Sequence, residues 1–301
     1  MCACSKSKIV FNTEALEKIV YEPDWVLENE DVFWSQYLPQ KYTRDWAEQV
    51  NYTIDYRDWR KKIKDWSKLS KEERENHVFL KNTERILEGK RIFLEKALPH
   101  LCSYLPNEAD LSITIHFTAF IPPRAFAMGE IVINMAATYW NENADNILNT
   151  IVHEIFHVGY SFCEENMAEK PDETSLNDVL RNIHNEGICT YVAYKARNIF
   201  PAPDEKDFHY LDDIETVNTH FNNVNYILGE IGNLPEEELD KLIWDIGVIG
   251  RSFYVVGAHM CQVIEDLYGK ATLVETLSQS PKKFIETYNQ KANPKRKIII
   301  S

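Results

Sequence analysis

The sequence predicts an α+β protein that is mostly helical and contains a small sheet. Over most of its 301 residues, apolar side chains recur at the spacing of a helix that buries one face. Two short segments, 112–117 and 130–135, are instead rich in β-branched residues, and the first alternates with period two. The predicted fold is therefore a set of long helices around two short strands.

The first part of the chain, residues 12–105, is polar, helical in period and rich in tryptophan and tyrosine. Aromatic side chains at this density usually pack a layer of helices, and a carbohydrate- or peptide-binding platform is the alternative. These aromatic residues are Trp25, Trp34, Tyr37, Tyr42, Trp46, Tyr52, Tyr56, Trp59 and Trp66. Because the character of the sequence changes near Pro106, we divide the chain into regions 1–105 and 106–301, which pack either separately or as one unit.

The second region begins with the two strands. Pro122 and Pro123 break the first strand, and Gly129 marks the turn before the second. A helix with apolar residues at 147, 148, 151, 152, 155 and 156 follows. Its candidate caps are Asn141, Asn143 and Asp145.

Further helices are predicted towards the end of the chain. Ser175 and Asp178 resemble a capping box at the start of one. Pro235, followed by three glutamates, opens another, and a last long helix spans residues 252–268. Residues 201–235 give few strong signals.

The composition excludes several classes of protein. With 44% hydrophobic and 27% charged residues, the chain has the profile of a soluble globular protein. Lys and Arg total 33 against 47 Asp and Glu, so the net charge of −14 disfavours binding to nucleic acid. No apolar run approaches the roughly 20 residues of a transmembrane helix.

The six cysteines are scattered and form no CxxC pair, so neither a zinc finger nor a dense disulfide framework is expected. A reducing compartment fits this usage, and we expect a cytoplasmic protein. The alternative is a trimmed or exported lipoprotein, because Cys4 is followed by Ser and Lys.

The segment His153-Glu154-Ile155-Phe156-His157 carries the strongest chemical signal. Two histidines four residues apart on a helix lie on one face and reach a common ion at about 2.0–2.1 Å. Glu154 projects beside that ion, where it can act as the general base on metal-activated water. The segment therefore predicts a zinc site, and two histidines satisfied in the core are the alternative.

Such a site needs a third protein ligand and an open position, and Glu186 is the best candidate. It shares a helix face with Val179, Ile183, Thr190 and Ala193, where a carboxylate is costly to bury unless a cation meets it. Gly187 would let another helix approach closely. An ion pair of Glu186 with Lys or Arg is the alternative interpretation. Competing third ligands are Cys163, Glu164, Glu165 and Asp172.

These residues resemble the gluzincin branch of zinc peptidases, the group of thermolysin and aminopeptidase N. The resemblance covers HEIFH, the NEG triplet at 185–187 and a Tyr-x-x-Gly pattern at Tyr254 and Gly257, and it is closest to small, poorly characterised families of zinc-dependent peptidases. The resemblance spans residues 112–270 and has two departures from the family pattern. The gap between His157 and Glu186 is longer than in the best-known members, and Thr190 stands where thermolysin-like enzymes carry Asp. A residue that orients a zinc-bound histidine must therefore come from elsewhere, and none is assigned that role.

The resemblance implies a zincin-like catalytic domain in 106–301 that binds Zn²⁺ and hydrolyses a peptide or protein substrate. Tyr254 would stabilise the oxyanion, with a packing role as the alternative, and strand 131–135 would be the edge strand that holds the substrate. Residues 127–130 do not spell the GxMEN segment of aminopeptidases, so exopeptidase action is the less favoured option. The remaining alternatives are a non-catalytic peptide-binding protein and a metal hydrolase acting on another acyl bond.

Overall fold

The computed structural model describes residues 8–109, 111–137, 140, 145–167, 170–203 and 205–300. Cys2, Cys4 and the candidate caps Asn141 and Asn143 lie outside these residues. Within the described part of the chain, the structure is mostly helical with one four-stranded mixed sheet, so the expected α+β class is confirmed.

The first region contains one strand followed by helices. They are β1 (Lys8–Asn12), α1 (Glu14–Tyr21), α2 (Pro23–Glu28), α3 (Glu30–Gln36), α4 (Leu38–Gln49), α5 (Tyr56–Ser67), α6 (Lys71–Asn76), α7 (Val78–Ile92), a π-helical turn (Phe93–Ala97) and α8 (Leu98–Cys102). Of the aromatic residues singled out, Trp34, Trp59 and Trp66 are buried, as packing residues would be, whereas Tyr52 and Tyr56 are exposed. Strand β1 was not predicted, because its Ile-Val-Phe core is too short to establish a period.

The sheet corrects one expectation about the strands. Strands β2 (Ser112–Thr118), β3 (Ala125–Met128) and β4 (Glu130–Asn134) join β1 in the order β1-β2-β4-β3. The pairs β1–β2 and β2–β4 are parallel, and β3 pairs antiparallel with β4 across Gly129, whose φ of 72° suits a tight turn. The edge strand next to the helices is therefore β3. The expectation that residues 131–135 form an edge was wrong, because β4 has a neighbour on each side.

Helices make up the rest of the described chain. They are α9 (Asp145–Glu165), α10 (Ser175–Ala196), α11 (Lys206–Asp212), α12 (Ile214–Glu230), α13 (Glu236–Leu242), a π-helix (Ile243–Ile249), α14 (Ser252–Tyr268), α15 (Lys270–Thr276), α16 (Pro281–Asn289) and a 3₁₀ turn (Pro294–Arg296). The cap of α10 is Thr174, whose hydroxyl accepts the Asn177 N–H at 3.3 Å, so the predicted box at Ser175 was one residue late. Helices α11 and α12 fill the stretch that gave few sequence signals.

Helices α10 and α14 cross in direct backbone contact. A Cβ atom on Gly187 would lie 2.3 Å from the Cα of Gly257, and one on Gly257 would lie 2.0 Å from the carbonyl oxygen of Ile183. Only glycine fits at either position. The close approach expected from Gly187 is thus confirmed. Glu186 is next to Gly187 on α10, and Tyr254 is one turn before Gly257 on α14, so the contact between the helices brings these two residues close to each other.

Buried side chains of both regions belong to one contiguous core. For example, the ring of Phe11 in β1 lies 5.4 Å from that of Phe117 in β2, and the ring of Phe93 lies 5.9 Å from that of Phe200. The N-terminal helices therefore pack directly on the sheet and on the C-terminal helices.

Cys102 is disulfide-bonded, whereas Cys163, Cys189 and Cys261 are free thiols. In the part of the chain that the structure describes, no helix is both long enough and apolar enough to cross a membrane.

Candidate metal centre

Helices α9 and α10 bring three candidate metal ligands together. His153 and His157 lie one turn apart on α9, and their Nε2 atoms are 3.0 Å from each other. The Glu186 Oε2 atom of α10 lies 3.5 Å from the first of these nitrogens and 3.4 Å from the second. The three candidate ligand atoms lie within 4.8 Å of one another, and among the described residues no other His, Cys, Asp or Glu group meets that arrangement.

The chemistry of this group suits a divalent cation. Glu186 Oε2 is buried and receives no hydrogen bond. Burial alone would raise the pKa of Glu186, but the His157 and His153 imidazoles hold that pKa below its usual range, so the carboxylate is ionised. Two imidazole nitrogens and one carboxylate oxygen form a donor set that zinc accepts. The residues present therefore fit the ion.

His157 is oriented by its second ring nitrogen. Its Nδ1 lies 2.9 Å from Asn185 Oδ1 and 3.3 Å from Cys189 Sγ, both on α10. Asn185 Oδ1 can only accept, so it favours the tautomer with the proton on Nδ1 and leaves Nε2 free to face Glu186. Sequence reasoning assigned no such residue, although Asn185 stands next to Glu186 in the NEG triplet.

The pKa of His157 depends on burial and on its two neighbours from α10, Cys189 and Glu186. Burial alone would lower the pKa of His157, but Cys189 and the Glu186 carboxylate raise it above its ordinary value. Burial also raises the pKa of the Cys189 thiol to about 11, so this thiol is neutral near pH 7. Glu186 therefore supplies the negative charge that faces the two imidazoles.

Tyr254 comes from α14 and lies against the first histidine. Its ring is nearly parallel to that of His153, at 13° and 6.1 Å between centroids. Burial and the nearby Glu186 carboxylate raise the pKa of the Tyr254 phenol well above its ordinary value, against the opposing charge of Arg251. The hydroxyl therefore stays protonated and able to donate a hydrogen bond.

Arg251 and Asp207 support this tyrosine, and sequence reasoning missed both. The Arg251 guanidinium carbon lies 3.2 Å from the centroid of the Tyr254 ring, and its Nε donates to Asp207 Oδ1 at 3.0 Å. Asp207 is 2% exposed, so its charge is balanced by this arginine. Arg251 has a φ of 64°, in the left-handed region, at the residue that caps α14. No sequence signal connects the two residues, because they are far apart in the chain and belong to separate elements.

All five predicted site residues line one cleft of about 440 Å³, and Glu154 lies there beside the candidate ligands, 9% exposed. We call this the metal cleft. Its other lining residues are Trp46, Pro123, Arg124, Ala125, Phe126, Ala127, Ser161, Asn185, Trp244 and Arg251. The first region thus contributes Trp46, and the edge strand β3 forms one wall.

The competing third ligands lie elsewhere. Cys163, Glu164, Glu165 and Asp172 do not line the metal cleft. Glu164 forms an ion pair with Arg181, and Cys163 is a buried thiol whose pKa burial raises to about 12. Of the candidates considered, Glu186 alone faces the two histidines.

Comparison with known protein families gave one match. The family model described as "Putative zinc dependent peptidase (DUF5700)" matches residues 8–297 of the chain. Searches of curated proteins and of solved structures found no match.

Proposed function

The chain belongs to this family of zinc-dependent peptidases, and we propose that it hydrolyses peptide bonds in the metal cleft. The observation that carries the proposal is the convergence of His153, His157 and Glu186 within 4.8 Å, in a cleft that Glu154 and Tyr254 also line. The proposed arrangement is that of a gluzincin, with an HExxH helix, a glutamate from a second helix and an edge strand alongside.

His153 and His157 would hold the zinc ion through Nε2, and Glu186 would hold it through its carboxylate. When bound, zinc supplies Lewis acidity, which polarises a carbonyl group and lowers the pKa of water towards neutrality. The protein fixes the donors: Asn185 orients His157, and the ionised state of Glu186 supplies a negative charge.

Glu154 is proposed as the general base and later the general acid. Its carboxylate lies in the cleft next to His153 but outside the group of three ligand atoms, so it is available for proton transfer. It would accept a proton from the attacking water and pass it to the nitrogen of the leaving amine. Such a carboxylate typically contributes a factor of about 10²–10⁴ to the rate.

Tyr254 is proposed to stabilise the oxyanion. Its protonated hydroxyl can donate to the carbonyl oxygen as negative charge develops, and its ring is held by contacts with His153 and Arg251. A donor that is already held in place needs no reorganisation during the reaction.

Strand β3 is proposed to hold the substrate main chain. One side of β3 pairs with β4, and the strand is last in the order of the sheet. Ala125, Phe126 and Ala127 line the metal cleft, so a peptide laid along this edge would pass the candidate ligands. This supports an extended peptide as the substrate over a small ester.

The test compares the wild-type chain with Glu154→Gln. The variant should lose a factor of about 10²–10⁴ in peptide hydrolysis and keep its zinc content, measured by metal analysis of the purified proteins. Glu165→Gln, an exposed position at the end of the same helix, is the matched control and should keep both.

Three results would contradict the proposal. If the wild type binds zinc but cleaves no member of a peptide panel, the non-catalytic alternative replaces it. If esters are cleaved and peptides are not, the substrate class is wrong. If Glu154→Gln hydrolyses peptides as fast as the wild type, the general base is wrong.

A further inference from the structure

A second cleft lies beside the metal cleft. It measures about 570 Å³ and shares two lining residues with the metal cleft, Pro123 and Arg124, which directly precede β3. The two clefts therefore meet at the start of the edge strand. We call this space the distal cleft.

An aromatic wall connects the two clefts. Tyr52 lines the distal cleft, and its ring centroid lies 5.5 Å from that of Trp46. Trp46 lines the metal cleft and stacks on Phe126 of β3 at 5.6 Å and 28°. The first region of the chain thus forms a continuous side for both spaces, and a chain that leaves β3 at Ala125 would continue along it.

The acidic and basic side chains of the distal cleft already have partners within the protein. Lys62 forms an ion pair with Asp58 at 2.6 Å, and Asp55 accepts the backbone N–H groups of Arg57 and Asp58 at 3.0 Å. Arg124 pairs with Glu205 at 3.3 Å. These charges are therefore engaged.

The amide of the cleft floor is engaged too. Asn134 Oδ1 accepts the N–H of Phe120 at 3.0 Å and that of Ala136 at 3.2 Å, and its Nδ2 donates to the carbonyl oxygen of Ile121. The surface left for recognition is therefore mainly apolar. It consists of Tyr52, Ile54, Phe120, Pro122, Ala136 and Ala137.

We propose that the distal cleft is a substrate subsite for an apolar side chain of an extended peptide, several residues from the scissile bond and on one side of it. The proposal rests on the proposed function, because it takes the metal cleft as the place of cleavage. An extended chain advances about 3.3 Å per residue, so two or three residues beyond those paired with β3 reach past Arg124. The substrate is then a peptide that extends several residues beyond the scissile bond on that side.

The first experiment measures peptide binding to zinc-loaded Glu154→Gln by calorimetry. A blocked four-residue peptide is compared with versions extended by three residues at its amino end or at its carboxyl end, each ending in Leu or in Asp. One of the two Leu extensions should tighten binding by about tenfold or more, and the matching Asp extension should not. Equal affinities for all five peptides would overturn the proposal.

The second experiment tests the wall. Tyr52→Ala, made in the same background, should remove most of the gain from the Leu extension. Tyr56→Ala is the matched control, because Tyr56 is similarly exposed, 41% against 42%, but does not line the cleft. If both variants keep the gain, the apolar residue binds elsewhere and the distal cleft is not a subsite.

Failure of this proposal is distinguishable from failure of the proposed function. If the wild type cleaves the four-residue peptide and the extended ones equally well, the function stands and the subsite is wrong. If no peptide is cleaved but the Leu extension still binds more tightly in a Tyr52-dependent way, the subsite stands and catalysis is wrong.

Discussion

The two histidines of the metal centre, His153 and His157, and the core histidine His184 have different partners for their ring nitrogens. His184, on α10, is fully buried, and its Nδ1 and Nε2 lie 3.3 Å from the Tyr160 hydroxyl and 3.4 Å from the Thr276 hydroxyl. Its ring stacks on Phe284 at 4.1 Å, and burial lowers its pKa to about 3. It is a neutral core residue whose two nitrogens both have neutral neighbours.

The metal centre, one turn away along the same helix pair, is arranged differently. The Nε2 atoms of His153 and His157 point at each other and at the Glu186 carboxylate. A hydroxyl satisfies a ring nitrogen whichever way its proton points, whereas two acceptor nitrogens and a carboxylate can share only a cation or protons. The comparison teaches that the partners of the ring nitrogens, and not burial, separate a candidate ligand from a packing histidine.

The largest expected effect is on zinc affinity, when the carboxylate of the metal centre is removed. Glu186→Ala should lower zinc affinity by more than about 100-fold, because losing a direct ligand costs more than losing a group that only orients one. Competition with a chromophoric chelator measures the affinity. Glu164→Ala is the matched control, since its carboxylate pairs with Arg181 outside the cleft. Full zinc affinity in Glu186→Ala would mean that the third ligand is another residue.

A smaller effect is expected when only the orientation of His157 is disturbed. Asn185→Ala removes the acceptor 2.9 Å from Nδ1 and should lower zinc affinity by about 10–100-fold. Thr276→Val makes the corresponding change at His184 and should leave zinc affinity unchanged. Equal losses in the two variants would show that the partner of Nδ1 has no special role.

The smallest effect concerns a second core histidine. His116 in β2 is 1% exposed, and burial lowers its pKa to about 4. Below pH 6.5, the ordinary pKa of a histidine, His116 binds a proton in the unfolded chain but not in the folded protein. The contribution of neutral His116 to stability is therefore complete above this pH and is lost as the pH falls towards 4. Between pH 6.5 and 4, His116→Gln should therefore reduce the slope of the unfolding free energy against pH by about 1 kcal/mol per pH unit.

Urea unfolding at pH 7, 6 and 5 measures this slope. His209→Gln, at an exposed position, is the control and should keep the slope of the wild type. If His116→Gln also keeps that slope, burial of this histidine is not what links stability to pH.

Much of the candidate site could be predicted from the sequence, because its signals are local. The spacing of His153 and His157 is a property of a single helix, and the cost of an unpaired carboxylate among apolar neighbours singles out Glu186. The predicted span of the last long helix, 252–268, likewise agrees with α14. Each inference needs only the geometry of one helix.

The tertiary structure decided which groups meet across elements. The period of a strand sequence reveals which side chains share a face but not which strands lie beside it. The sequence therefore predicted an edge strand at residues 131–135, whereas the strand at that edge of the sheet is β3. Three features of the site join residues of separate elements. They are Asn185 opposite His157, the Arg251–Asp207 pair beside Tyr254, and Trp46 in the metal cleft. Such contacts depend on how elements pack, and side-chain packing is a property of the whole fold that no single segment encodes.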